Sequence, residues 1–146
     1  MAQHRVSRSV VVDAPAERIF DILADPRRHS EFDGSGTVRE AVRGPERLTL
    51  GSRFGMGMRM GGLDYRTGNQ VVEFSENRRL AWRHGAWHRW RWTLEPLEDG
   101  TTRVTETFDY SRFGTWFYIL VGFPQRNALG IERTLPRLKR LAEQDG

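Results

Sequence analysis

Residues 10–26 read Val10-Val11-Val12-Asp13-Ala14-Pro15-Ala16-Glu17-Arg18-Ile19-Phe20-Asp21-Ile22-Leu23-Ala24-Asp25-Pro26. The stretch changes period in its middle. The segment His4 to Val12 alternates and ends in three β-branched residues, which is strand chemistry. Ile19, Phe20, Ile22 and Leu23 then form a helical stripe. Between them Asp13 is a predicted N-cap, Pro15 sits in the first turn, and Glu17 lies near the positive end of the helix dipole. Asp25-Pro26 ends that helix and opens a second short one, from Arg27 to about Phe32. The chain thus predicts strand, helix, short helix, followed by the turn cluster Asp33-Gly34-Ser35-Gly36.

Downstream the period is two for more than seventy residues. Strands are predicted at 37–43, 51–60, 63–74, 79–84, 87–97 and 101–110. In the second of these Phe54, Met56, Met58 and Met60 share a face. Gly61-Gly62 is a hairpin signal. Later faces are Leu80, Trp82 and His84, then Trp90, Trp92 and Leu94, then Val104, Glu106, Phe108 and Tyr110. Arg89, Arg91, Arg103, Thr105, Thr107 and Asp109 fall on the opposite side. A last helix is predicted from about Gln125 to Glu143, with Ala128, Ile131, Leu135 and Leu138 as its stripe and Pro136 as a point of bending. The fold class is α+β. A curved antiparallel sheet needs one face covered, and only the last helix is long enough to do it. Flexible Met and large aromatic side chains on the covered face are compatible with interdigitated packing and with an adaptable apolar cavity.

Composition narrows the function classes. The chain has 146 residues, no cysteine and a formal net charge of +4. That length fits one domain, taken as 1–146. Thiol catalysis, disulfide scaffolds and Cys-based metal sites are excluded. No apolar run approaches the ~18 residues of a membrane span. The N-terminus shows no signal-peptide pattern, which predicts a cytoplasmic protein without stable membrane insertion. Of the basic residues only Lys139 is a lysine; the arginines are scattered and form no run, so they read as a solvated surface and not as a nucleic-acid face.

The residues 10–26 resemble the opening of the START-like helix-grip superfamily (SRPBCC), in its polyketide cyclase/dehydrase branch. Further similar segments are Phe32 to Val38, Leu50 to Phe54, Gly100 to Glu106 and Arg133 to Leu138. The resemblance spans about residues 5–143 and rests on the order and spacing of these segments. It implies a seven-stranded curved sheet in the order β-α-α-β6-α, wrapped around the long C-terminal helix with an internal cavity. It further implies binding of a small hydrophobic molecule such as a lipid or polyketide. Members of such a family also cyclise or dehydrate polyketides, or act as quinone-binding proteins or co-chaperones, so fold alone does not choose.

The candidate ligand-binding face comprises Phe54, Met56, Met58, Tyr65, Trp82, His84, Trp90, Trp92, Glu106, Phe108, Tyr110 and Ile131. Glu106 is the most informative polar residue: a carboxyl in an apolar pocket is held protonated and can act as acid or base, unless Arg126 or Arg133 of the last helix neutralises it. His84 and Tyr65 are the other acid–base candidates. Asp33 stands either at the cavity entrance or in a turn and cap. His84 and His88 flank a turn and give no metal-ligand spacing. The run Gly55 to Gly61 lies in a strand and is no dinucleotide fingerprint, so no cofactor is expected. The segment 111–123 holds eight large apolar residues. It is expected to form a lid, a homodimer contact or a membrane-docking surface.

Overall fold

In a computed structural model of the chain, the structure describes residues 5–33, 38–60, 62–84, 88–110 and 123–144. The side chains of 38–42, 56, 58–60, 64–67, 84 and 123–127 are outside that description. The elements are β1 (Arg5–Val12), α1 (Ala16–Leu23), a 3-10 turn (Pro26–Arg28), α2 (His29–Phe32), β2 (Val38–Arg43), β3 (Arg53–Met60), β4 (Leu63–Ser75), β5 (Arg79–His84), β6 (His88–Pro96), β7 (Thr102–Asp109) and α3 (Phe123–Gln144). The strands form one antiparallel sheet in the order β1-β7-β6-β5-β4-β3-β2. Each is joined to the next by a hairpin except β1, which pairs with β7 after the whole chain has gone round.

Among the described residues α3 packs chiefly on β1, and also meets α2, β7 and α1. At the other edge of the sheet, β2 meets α2 and the 3-10 turn. The two edges are therefore bridged by the short helical segment. The core follows from this arrangement. It comprises Ile19, Phe20 and Leu23 of α1, Leu80, Trp92, Leu94, Val104 and Phe108 of the sheet, and Ile131, Leu135 and Leu138 of α3. Fully burying one such aromatic or branched side chain stabilises the fold by ~1.5–3 kcal/mol.

The predicted N-cap is corrected. Pro15 takes the cap position in extended conformation and no side chain caps the helix. Asp13 instead donates its backbone N–H to Glu143 Oε2 at 2.8 Å, and Lys139 Nζ donates to Val11 O at 3.0 Å. The end of α3 thereby occupies backbone groups of β1, an edge strand whose free N–H and C=O groups would otherwise invite further pairing. At the other end of α1, the carbonyls freed by the stop at Asp25-Pro26 find partners from afar. Leu48 N–H donates to Ala24 O at 2.7 Å, and His29 Nε2 bonds Leu23 O at 2.9 Å. Gly44 lies where β2 leaves the sheet. A Cβ there would stand 2.9 Å from Phe54 Cβ, so only glycine lets the chain pass this close.

On the outer face Arg53, Arg79 and Arg103 are exposed as the sequence predicts, and Arg89 and Arg91 join an ion-pair network. The β4–β5 register shifts between Val71 and Glu73. A bulge of this kind flips the alternation. Val71 stays opposite Trp82, whereas Glu73 turns to the outer face opposite Ala81. Across small, buried Ala81 it accepts from Arg91 Nε and Nη2 at 2.9 and 2.7 Å, from Arg89 Nη1 at 2.9 Å and from Arg79 Nη1 at 3.3 Å. Arg91 also reaches Asp109 Oδ2 at 3.4 Å, and Arg5 reaches the same oxygen at 3.2 Å. The network ties β1, β7, β6, β5 and β4 together. The Arg91 bonds, reinforced by Arg89, hold the Glu73 carboxyl down at about 2. A carboxyl with a depressed folded pKa stabilises above its unfolded value of 4.5, and that stability is lost as pH falls through about 2. Glu73→Gln is expected to cost about 1–3 kcal/mol at pH 7. In acid denaturation followed by circular dichroism, its stability should fall less steeply than that of the parent between pH 4.5 and about 2. Parallel acid profiles would show that Glu73 carries no linked proton.

Candidate functional site

The concave face of the sheet is built by register. Trp92 stands opposite Glu106, Trp90 opposite Phe108, and Leu94 opposite Val104 on β6 and β7. Leu80 and Trp82 of β5 stand opposite Trp92 and Trp90. Residues paired across an antiparallel ladder point to the same side, so these form one patch. Leu80, Trp92, Leu94, Val104, Glu106 and Phe108 are buried, whereas Trp82, Trp90 and Tyr110 are only partly buried. Phe54 and Ile131 are buried as well.

The rings divide into two groups. Trp90 lies 4.9 Å from Phe108, and Tyr110 stacks on Phe108 at 5.5 Å. In the second group His29 stacks on Trp82 at 5.0 Å and meets Phe32 and Phe54 edge-on at 5.5 Å. Phe32 in turn meets Trp92 edge-on at 5.9 Å. Edge-on and offset contacts suit the ring quadrupoles.

His29 is a residue that the sequence reading passes over. Burial lowers its pKa to about 4, against the smaller opposing effect of the Leu23 bond. The ring is therefore neutral near pH 7, and Nε2–H is the donor to Leu23 O. A signal does exist in the spacing. Pro26, His29 and Phe32 recur every three residues and all three are buried.

Glu106 is the buried acid of the inner face. Its Oε1 has no hydrogen-bond partner, and neither has Trp92 Nε1. Desolvation raises its pKa well above the ordinary value, and the negative charge of Asp33 adds to the rise. The expected arginine partner is not supplied by Arg133, which lies exposed on α3; the Arg126 side chain is outside the described residues. Arg8 stands opposite Glu106 on β1, yet its guanidinium Nε donates to Glu132 Oε1 at 3.1 Å and Nη1 to Ser7 O at 2.7 Å. Asp33 takes the capping role expected of it. It closes α2, its carbonyl accepts from Arg137 Nη1 at 2.8 Å, and its charge is felt at Glu106.

The sequence candidates are not all brought within this description. The ladder pairs Met58 with Tyr65, and Asn69 with His84. The side chains of Met56, Met58, Tyr65 and His84, and the segment 111–122, lie outside the described residues. Among the described residues no three His, Asp or Glu side chains gather as a metal site would require. Nor is any described helix long and apolar enough to cross a membrane.

A curved seven-stranded sheet with a long helix against one end, and an inner face lined by rings and one buried acid, defines a helix-grip protein. Residues 3–143 match the family described as polyketide cyclase / dehydrase and lipid transport, and the chain belongs to that family. It is 50% identical over 139 residues to the uncharacterised protein Rv0088 of Mycobacterium tuberculosis. The match takes in 92% of this chain and 62% of that protein, so the chain spans less than two thirds of that relative's length. Among solved structures, protein CV1439 of Chromobacterium violaceum aligns with a TM-score of 0.73 at 19% identity, over 96% of this chain and 98% of its own. The polyketide-cyclase-like protein Cgl2372 of Corynebacterium glutamicum aligns at 0.66 and 20% identity, over 99% and 94%. At these identities the structures share the fold.

The state of Glu106 has a measurable consequence. With its folded pKa raised, the folded chain holds a proton that the unfolded chain releases above 4.5. Stability contributed by this residue therefore falls as pH rises from 4.5 toward the folded value, by about 1.4 kcal/mol per pH unit. Glu106→Gln removes the ionisation at nearly constant shape. In thermal melts the variant should gain on the parent as pH is raised from 4.5 to 8. A constant difference in melting temperature would mean that Glu106 ionises normally.

Proposed function

We propose that the chain binds a small hydrophobic molecule on the concave face of the sheet, between β4–β6 and the helical segment α1–α2. One observation carries the reading. Trp82, Trp90 and Tyr110 keep part of their surface open on a face where Leu80, Trp92, Leu94, Val104 and Phe108 are sealed. Large rings held in rigid strands, partly open and beside few polar groups, are what an apolar ligand site needs. Family membership supports the same reading, since lipid transport is part of the family's description.

The buried acid favours a second reading. In a polyketide cyclase, aromatase or dehydratase the same face would enclose a reactive chain, and enclosure would supply much of the rate. A protonated Glu106 would then deliver the proton as general acid, with Tyr65 or His84 as the group that accepts one. The two readings differ in what Glu106→Gln does. A carrier keeps its affinity and has no turnover to lose, whereas an enzyme keeps its affinity and loses turnover.

Binding itself is tested directly. Native mass spectrometry of the purified protein is expected to show an adduct that organic extraction removes. The emptied protein should then bind Nile red with quenching of tryptophan emission. Trp90→Ala, which removes one ring of the wall, should weaken Nile red about fivefold. Absence of both adduct and Nile red binding would overturn the reading.

A further inference from the structure

The inner face carries two polar atoms that the fold leaves without a partner, Glu106 Oε1 and Trp92 Nε1. They belong to residues directly opposite one another on β7 and β6. They share one patch and still do not bond each other. A buried polar atom without a partner costs about 1–3 kcal/mol, and folded proteins keep few of them. Two on one cross-strand pair call for a common cause.

The surrounding charges narrow that cause. From β1, Arg8 faces Glu106 but is held by Glu132 of α3. From the end of α2, Asp33 adds negative charge. Arg137 of α3 is engaged with the Asp33 carbonyl. Among the described residues no cation pairs with Glu106. Burial raises the carboxyl's pKa well above its ordinary value and so favours the protonated form, which is a donor as well as an acceptor. The pair thus offers two donors, an indole N–H and, in its protonated form, a carboxyl O–H, with no positive charge paired to them among the described residues.

We propose that Trp92 and Glu106 form the polar subsite of the ligand pocket, and that it selects a neutral head group with an acceptor oxygen: a ketone, aldehyde or amide carbonyl. This rests on the ligand-binding reading above. A carbonyl oxygen has two lone pairs and accepts both bonds at once. A carboxylate brings charge next to Asp33 and Glu106 with no cation to meet it. A hydrocarbon leaves both atoms as they were. Both atoms are sealed from solvent. The head group therefore reaches them by displacing a neighbour such as Phe32, whose ring stands against Trp92.

The test uses one skeleton with four heads, competed against Nile red at pH 7: 2-acetonaphthone, 2-ethylnaphthalene, 2-naphthoate and 2-naphthylmethylamine. The ketone is expected to bind at least about tenfold tighter than each of the others, the value of one well-made hydrogen bond. Trp92→Phe and Glu106→Leu should each remove most of that preference while 2-ethylnaphthalene stays within about twofold. Glu106→Gln, whose amide still donates, should retain the preference. The ranking on the parent protein needs no variant and stands if one of them fails to fold. Equal binding of ketone and hydrocarbon overturns the subsite and leaves the hydrophobic pocket intact. Tightest binding by the carboxylate or the ammonium overturns it as well. If Nile red and all four probes fail to bind, the ligand-binding reading falls and takes the subsite with it.

Discussion

A seven-stranded antiparallel sheet presents more apolar inner surface than one helix can cover, and the architecture answers that constraint. Helix α3 lies against β1 and β7, at one end of the sheet. The opposite edge, β2, is met by the 3-10 turn and α2. What remains is the middle, β4 to β6, where Trp82 and Trp90 stay partly open. The short helical segment carries the rings that face this middle, His29 and Phe32, and it is itself held by long-range bonds. The Leu23 and Ala24 carbonyls, which a longer helix would have satisfied internally, are met by His29 and by Leu48. A Pro after Asp25 is thus a local stop with a distant consequence: it frees the acceptors that anchor the wall of the site.

The two faces of the sheet solve their electrostatics in opposite ways. Outside, Glu73 and Asp109 gather Arg79, Arg89, Arg91 and Arg5 across five strands. Ala81 is what makes this geometry possible, since a larger side chain on β5 would stand between Glu73 and Arg91. Inside, Glu106 has no such company. The same chain that surrounds one acid with three arginines gives another no cationic partner among the described residues.

Much of this was legible in the sequence, because period two survives in strands that have one wet face and one dry one. The alternation of Trp90, Trp92 and Leu94, and of Val104, Glu106 and Phe108, places those side chains correctly. Straight alternation fails on β4. It would put Val71 and Glu73 on the same face, and only the bulge between them separates the two. Asp13 has the chemistry of a cap but lies two residues before the cap position, which Pro15 takes; its backbone is engaged by Glu143, 130 residues away. The three-residue spacing of Pro26, His29 and Phe32 marks a buried face, but the partners of His29 on β3 and β5 are too distant in sequence for that pattern to name them. The isolation of Glu106 was half legible. Its face follows from alternation, whereas the absence of an arginine partner depends on where Arg8 turns.

Arg8 gives the strongest reason to read the unpaired acid as a functional feature. A residue directly opposite on a neighbouring strand brings its Cβ to within about 5 Å, well inside the reach of an arginine. One change of rotamer would carry the Arg8 guanidinium from the Glu132 carboxylate toward Glu106. That would cancel a buried, unpaired carboxyl at the cost of an exposed ion pair worth at most about 1 kcal/mol. The fold keeps the weaker pair. Glu132 draws Arg8 to the surface, the Ser7 carbonyl fixes it there, and Asp33 adds charge of the wrong sign for pairing with Glu106. These three features work in one direction. They leave a carboxyl with a raised pKa beside an indole N–H, in a patch lined by rings, with Oε1 and Nε1 unpaired.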